Sequence, residues 1–475
     1  MESRFAPCQG RVPDELAHGL LRYEHVARRV ASRLLAAALT LVVAGCRETE
    51  RTTQKPPANP EAGAMSAEQR EAALASARVW IAPRVPVASA DFSINPPGAG
   101  GFDARQDVDC TFKAKKVGGT TPKFYCALPD GDVVKVKYGE PNGEIPSEIV
   151  ATRLLAALGF PTDRMYRVHS VRCRGCPPLP QQALQCLSEG APEIVCLQGA
   201  SDTRVVTFEH AAIERPFPGR KLEAAPDQGW NWYELDKIDP RRGGSSRAEV
   251  DALRLVAVLI AHWDNKGPNQ RLVCPDGKDN PDGSCAQPLA IIQDLGAALG
   301  PKRMDLLNWR RVPMWSDAAK CQVSMTSLPF RGATFTDRQI SEEGRQFALK
   351  LLRGLSPAQL NTLFDAAGVT SFNHVLTEAH QPQAWTDAFL AKVDAIAAAG
   401  PCPADLSSQD FQKRPRRPSG ARLGLGRFGR WELEVYWALE IGSWELTPLS
   451  SHPPQRHELH EHLSALRRDR DRFDA

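Results

Sequence analysis

Three stretches on either side of residue 120 alternate apolar and polar side chains. They are CTFKAKK (110–116), KFYCAL (123–128) and DVVKVKY (132–138), and the turn-formers VGGTT and PDG separate them. A period of two, punctuated by Gly, Pro and Asp, predicts an antiparallel meander. The period then changes. In PSEIVATRLLAALGF (146–160), Ile149, Leu154, Leu155 and Leu158 share one side of a helix that stops at Gly159. TRVVTFEHAAIER (203–215) returns to a strand pattern and runs on into a connection. SRAEVDALRLVAVLIAHW (246–263) reads as a buried helix with a serine start. LAIIQDLGAALG reads as an apolar strand entering a turn, and 339–400 as helical throughout. Strands with one helix first, then mostly helices, predict an α+β fold with a β-rich lobe and a helical lobe.

The two ends of the chain have other patterns. Arg28, Arg29 and Arg33 precede LLAAALTLVVAGC, an apolar run ending at Cys46 that is too short to span a bilayer and suits an export signal. The stretch before those arginines is long for a signal, which leaves the start position open. Val43-Ala44-Gly45-Cys46 resembles a bacterial lipobox. That resemblance implies a lipidated Cys46, membrane attachment and a location in the cell envelope. RETERTTQKPPANPEAGA (47–64) is polar and proline-bearing, as a tether would be, and a short helix follows it. From 403 onward the composition turns basic and then mixed-charge with no continuing core pattern, and this tail is expected to be disordered. The expected segments are therefore 1–46 (signal), 47–109 (tether and short helix), 110–215 (β-rich lobe), 216–402 (helical lobe) and 403–475 (tail).

Cysteine usage fits an exported chain. Cys8 and Cys46 apart, ten remain, and an even number in an oxidising compartment reads as disulfides. Cys110 with Cys126, and Cys274 with Cys285, are the local pairs expected. A metal site from Cys173, Cys176, Cys186 and Cys196 is the rival for the middle group, but a second C-x-x-C or a His pair is missing. The acidic loop CPDGKDNPDGSC lacks the spacing and closing Glu of a calcium loop and reads as a disulfide-closed hairpin. Over 475 residues the net charge is only +3, which gives no case for nucleic-acid binding.

The candidate chemistry lies where the buried helix ends. LIAHWDNKGPNQRLVC sets His262, Asp264, Lys266 and Asn269 within eight residues. Carboxylate and amide oxygens suit a hard cation, and an Asp can orient a reacting hydroxyl. IIQDLG then places Asp294 after an apolar strand. Upstream, Val134-Lys135-Val136-Lys137 puts two lysines on one side of a strand; the following helix carries Glu148, and Glu144 lies just ahead of it. Gly118, Gly119 and Thr120 form a turn whose N–H groups could cradle phosphate.

In this order the motifs resemble those of the protein-kinase superfamily. His262-x-Asp264-x4-Asn269 is similar to its catalytic loop, Asp294-Leu295-Gly296 to its D-F-G, and Val134–Lys137 to its V-A-I-K. The glycine turn leading into a lysine strand resembles HipA-type kinases, so an atypical kinase is the label implied. The resemblance implies a two-lobed protein-kinase-like fold, ATP and Mg as cofactors, and transfer of the γ-phosphate to an unidentified hydroxyl of a protein or small molecule. It implies Asp264 as base, with His262 and Lys266 in the same loop. Asn269 and Asp294 would be the metal ligands, and Lys137 the phosphate clamp with Glu148 as its partner. Lys135 is the fallback lysine and Glu144 the rival glutamate. The adenine is expected against the backbone near Phe208–Ala212. The pattern departs from protein kinases in lacking G-x-G-x-x-G and A-P-E, and aminoglycoside-type kinases share the catalytic loop, so the acceptor stays open. Free ATP is scarce outside the cell. That constraint keeps a second expectation alive: an inactive kinase-fold envelope lipoprotein that binds a ligand or partner.

Overall fold

The computed structural model describes residues 65–403, apart from 120, 225–228, 330, 331, 373 and 375. All of them belong to the first of two compact units, Met1–Ser407. Cys46, Thr120, the export segment and the tail from 404 lie outside the described residues.

The chain enters through helix α1 (Ala67–Ala75), which Ser66 and Gln69 start with a reciprocal capping box. Although the sequence reads as a tether here, Leu74, Ala77, Val79 and Phe92 are buried in the main core. The expected meander follows as β1 (Asp107–Lys113), β2 (Lys123–Ala127) and β3 (Val133–Lys137), antiparallel throughout. Val134 and Val136 face a core of their own with Phe124, Val171 and Ile213. Alternation therefore turns Lys135 and Lys137 to the opposite side. Helix α2 (Glu144–Leu158) covers that side and ends at Gly159 in the left-handed conformation.

Two elements escape a reading by periodicity. Strands β4 (Arg164–Arg167) and β5 (Ser170–Arg174) are separated by a bend at 168–169. After α3 (Pro180–Ser188) and α4 (Glu193–Cys196), the expected single strand 203–215 is two strands, β6 (Val205–Glu209) and β7 (Ala212–Arg215). His210, at φ 51°, breaks it. The bends face each other, with Val168 N–H donating to the Ala211 carbonyl at 3.2 Å. The β4/β7 half of this bent ribbon pairs with β3 and the β5/β6 half with β1, giving the order β4-β7-β3-β2-β1-β5-β6. The physical reason is local: one left-handed residue redirects a strand that otherwise keeps its alternation.

Short strand β8 (Arg220–Lys221) leads into the helical lobe. Helix α5 (Arg247–Leu259) starts on a Ser246/Glu249 capping box, as its serine start predicts. Its buried Asp251 accepts hydrogen bonds from Arg254, Arg247 and Ser341, so the charge is fully answered. Strands β9 (Gln270–Cys274) and β10 (Leu289–Ile292) form a hairpin below the sheet. Beyond α6 (Leu306–Arg311) and the small pair β11 (Gln322–Val323) and β12 (Arg338–Gln339), helices α7 (Glu342–Leu352), α8 (Pro357–Ala367) and α9 (Pro382–Ala398) close the core around stacked Trp309, Trp385 and Phe364. The α+β order, sheet-rich first and helical after, is the one the sequence predicts.

The ten cysteines among the described residues are all paired: Cys110–Cys126, Cys173–Cys176, Cys186–Cys196, Cys274–Cys285 and Cys321–Cys402. The first and fourth are the expected local pairs. The middle four cysteines form two disulfides, so no thiolate is left there for a metal. Cys321–Cys402 spans 81 residues and Cys186–Cys196 only 10. Loop-closure entropy then sets an order: replacing the first pair by serines costs about 4.5 kcal/mol, and the second about 2.7 kcal/mol. Urea unfolding of the two double-serine variants checks this, and a larger loss from the short loop would contradict it.

Candidate functional site

Three elements bring charged side chains together under the sheet. Cross-strand register sets Lys123 on β2 opposite Lys137 on β3. Two ammoniums facing each other repel, and α2 answers them. Its first turn inserts Glu144 between them, 2.7 Å from Lys137 Nζ and 3.7 Å from Lys123 Nζ. One turn on, Glu148 Oε2 accepts from Lys137 Nζ at 2.5 Å. The alternative between the two glutamates thus resolves into both. Lys135, the fallback lysine, pairs with Glu214 of β7 at 2.5 Å. Glu214 also lies 3.4 Å from Lys137, as does Asp294.

Lys137 is completely buried. Burial opposes its charge, but the carboxylates of Glu148, Glu144, Glu214 and Asp294 outweigh that and raise its pKa well above the ordinary value. Burial also works against Asp294, yet Lys137, Lys135 and Lys123 hold it ionised far below the usual range. Glu144 likewise falls to about 2, with burial opposed by Lys137 and Lys123. The exception is Glu148. Its burial, reinforced by the other three carboxylates, pushes it to about 8 despite Lys137. Four carboxylates against three ammoniums leave one surplus negative charge, and a shared proton on the deepest glutamate relieves it.

Asp294 is the member that faces outward, with about a third of its side chain exposed (35%). It holds φ 52°, a conformation uncommon outside glycine and found where surroundings over-determine the backbone. The surroundings are visible. A Cβ on Gly296 would meet Glu144 Cγ at 2.0 Å, so only glycine lets the two segments close. Trp263 N–H donates to the Ala297 carbonyl, Leu299 N–H to Ile260, and Gln293 N–H to Asn269, all at 2.7–3.2 Å. These bonds zip the loop after α5 to the loop after β10 on both sides of Asp294.

Within the first loop, both carboxylate oxygens of Asp264 accept from Lys266 Nζ, at 2.9 and 3.0 Å. Asn269 donates through Nδ2 to the Asp264 carbonyl at 2.7 Å, which leaves Oδ1 as the free acceptor of that amide. His262 is wholly buried, with its ring centroid 6.4 Å from that of Trp232 and the two planes tilted. Burial outweighs Asp264 and Asp294 and lowers it to about 4, so it is neutral at pH 7 and supports the loop from behind. The sequence reading passed over Asn265, which ties the loop to a distant segment by accepting from Thr334 and Phe335 N–H at 2.8 and 2.9 Å.

The glycine turn is pinned from an unexpected quarter. Gln181 of α3 donates to the Gly119 carbonyl at 3.1 Å and accepts from Lys123 N–H at 3.3 Å. Gly119 takes φ 74°, which glycine adopts freely, and Lys123 Nζ lies 3.5 Å from where its Cβ would be. A Cβ on Gly118 would meet nothing. In the stretch expected to back the adenine, the Phe208 side chain packs between Phe124 and Tyr138 in the sheet's own core, while Ala212 pairs with Lys137. The physical reason is the break at His210, which sends β6 to the other half of the sheet. Lys123, Glu214 and Gln181 are the members the sequence reading missed. Lys123 was accessible through the hairpin register, whereas Glu214 and Gln181 depend on pairings that no local pattern fixes.

The arrangement sets oxygen donors on adjoining loops beside a group of ammoniums. Asp294 and the Asn269 amide oxygen are hard donors on adjoining loops, which fit Mg²⁺. The turn at Gly119 and the lysines beside it suit phosphate oxygens.

No protein-family model matches this sequence, and no curated protein does. Among solved structures, the chain is similar to the Helicobacter pylori proinflammatory kinase CtkA, with 12% identity and a TM-score of 0.33 over 62% of this chain and 95% of that one. It is also similar to the Golgi casein kinase, with 13% identity and a TM-score of 0.29 over 62% of this chain and 74% of that one. The same kinase with Mn/ADP bound has 13% identity and a TM-score of 0.28 over the same shares.

The proton on Glu148 has a measurable consequence. Folding raises its pKa from 4.5 to about 8, so its contribution to stability is whole below 4.5 and lost as pH climbs through 8. His262 (about 4 from 6.5) and Asp163 (about 6 from 3.8) titrate below pH 6.5, and Lys392 (about 8 from 10.5) above 8. Between pH 6.5 and 8, then, wild-type stability should fall by at most about 1.4 kcal/mol per unit. In Glu148→Gln that slope should vanish. Urea midpoints at four pH values decide, and parallel slopes would remove the proton from Glu148.

Proposed function

We propose that this chain is an atypical, HipA-type-like kinase: a phosphotransferase that uses Mg-ATP and acts on an unidentified hydroxyl. The observation that carries the reading is the convergence on Lys137. A strand lysine, two helix glutamates and an aspartate 157 residues away meet within 3.4 Å of one ammonium, beside a loop that bears Asp264 and Asn269.

Each residue then has a task. Asn269 Oδ1 and the Asp294 carboxylate would hold the Mg²⁺. When bound, the ion would supply positive charge against the phosphates. Lys137 and Lys123 face the phosphates beneath the turn at Gly118 and Gly119. Asp264 orients the acceptor hydroxyl and takes its proton on Oδ, and Lys266, bonded to both oxygens, fixes that carboxylate and adds a cation near the transferred group. Thr120 belongs to this turn by sequence. We place the protein at the cell envelope, anchored through a lipidated Cys46. Five disulfides support an oxidising compartment.

One observation favours the second reading, an inactive ligand-binding lipoprotein. Lys137 is saturated by carboxylates and closed to solvent, so phosphate reaches it only if Glu144 moves aside.

Two measurements separate the readings. Mg-ATP at a hundredfold excess over Kd should stabilise the protein by about 2.7 kcal/mol, and Asp294→Ala should abolish the effect. Phosphoryl transfer or ATP turnover should then drop by roughly 10²–10⁴ in Asp264→Asn while nucleotide binding persists. Binding without turnover in wild type selects the inactive reading. No stabilisation at millimolar nucleotide would sink both.

A further inference from the structure

Helix α2 has a second charged face. Arg153 follows Glu144 by nine positions and Glu148 by five, which places it about 180° and 140° round the helix from them. It is 6% exposed. Its guanidinium donates to the Phe92 carbonyl at 3.2 Å and to Asn95 Oδ1, both neutral, and its buried Nε has no partner. Among the described residues it makes no ion pair. Burial and the neighbouring Arg167 lower its pKa to about 10, and no carboxylate offsets them. A buried cation without a counter-ion is costly unless something supplies the charge.

Arg167, at the end of β4, is half-buried. It makes long contacts to the Ala366 carbonyl (3.5 Å) and Ser371 Oγ (3.4 Å), and among the described residues it makes no ion pair. Both arginines line one cavity of about 490 Å³, between the bent ribbon and the end of α8. Its two histidines are already engaged: His169 with Asp107 at 2.7 Å and His210 with Glu140 at 3.0 Å. Two carboxylates, Glu209 and Asp365, also line the cavity, but neither pairs with a guanidinium. Asp365 draws the pKa of Arg167 upward without reaching ion-pair distance, and burial still leaves Arg167 below its ordinary value.

We propose that this cavity binds a small phosphorylated molecule, its phosphate held between Arg153 and Arg167. Guanidiniums suit phosphate oxygens in paired geometry, and the volume exceeds what a bare phosphate fills. The inference does not depend on the nucleotide reading. The site lies behind the helix whose other face holds Lys137, so its ligand would brace α2 from the rear.

The test uses the full chain carrying Asp294→Asn, which disables the front of the molecule. Thermal stability is followed against sodium glycerol 3-phosphate, sodium phosphate and sodium chloride at matched ionic strength. The expected result is a saturable rise in Tm with the phosphomonoester, smaller with inorganic phosphate and absent with chloride. Arg153→Gln and Arg167→Gln should each abolish the rise. Relief of an uncompensated charge should leave Arg153→Gln at least as stable as its parent in phosphate-free buffer. Should that variant fail to fold, half-buried Arg167→Gln carries the test alone. A rise equal to that with chloride, or one retained in the foldable variants, overturns the site; a rise with inorganic phosphate alone overturns the phosphorylated-molecule assignment.

Discussion

One buried ammonium holds the two halves of this domain in register. Lys137 comes from the sheet, Glu144 and Glu148 from the helix beside it, Glu214 from the returning ribbon, and Asp294 from the loop after β10. An ion removed from water costs several kcal/mol even after relaxation, so none of these groups is stable there alone. Their positions are mutually conditional. Slide β3 by one residue and Lys137 turns into the apolar core of Val134 and Val136. Replace Gly296 and Glu144 loses the space it fills. The backbone bonds between the loops at 260–269 and 293–299 extend this dependence to Asp264 and Asn269.

Much of this was legible as pattern, and the limits have physical causes. The meander, α2 and α5 follow from period and caps that are local properties of the chain. So does the cluster of His262, Asp264, Lys266 and Asn269, which sits in one loop. The ribbon was misread at 203–215 because His210 breaks it by backbone conformation while the side-chain alternation runs on undisturbed. The same event divides the stretch expected to back the adenine, with Phe208 in the far half of the sheet and Ala212 paired with Lys137. Glu148 and Glu144 could not be ranked because both fall one turn apart on the correct face, and the folded chain uses both. Glu214 was invisible because its partner lysines lie on a strand that only the closed ribbon brings alongside.

The cysteine-rich insertion shows how a disulfide framework enters the site. Cys173–Cys176 and Cys186–Cys196 brace the segment that carries α3. From that helix Gln181 holds both the Gly119 carbonyl and the Lys123 amide. The glycine turn therefore does not rest on its own sequence alone. Reduction would loosen a helix first and the turn through it.

Glu144 is where the two functional readings part. It is wedged between Lys123, Lys137 and the chain at Gly296, nearly closed to solvent. Without a ligand its charge is needed, because two facing ammoniums have little else between them. With the proton on Glu148 the cluster is close to neutral, so a polyphosphate arriving alone meets no net attraction as well as a blocked lysine. On the phosphotransferase reading, Asp294 and Asn269 would hold a divalent cation, whose charge would weaken the hold of Asp294 on Lys137. Phosphate oxygens could then take over the lysines as Glu144 withdraws. On the phosphotransferase reading the cation must come first or together with the nucleotide, and the blocked lysine is a resting state. On the inactive reading the exchange never occurs, and the same carboxylate is a permanent plug. The chemistry of the site thus turns on whether one glutamate, held by two lysines, can be displaced by phosphate at a metal-compensated cluster.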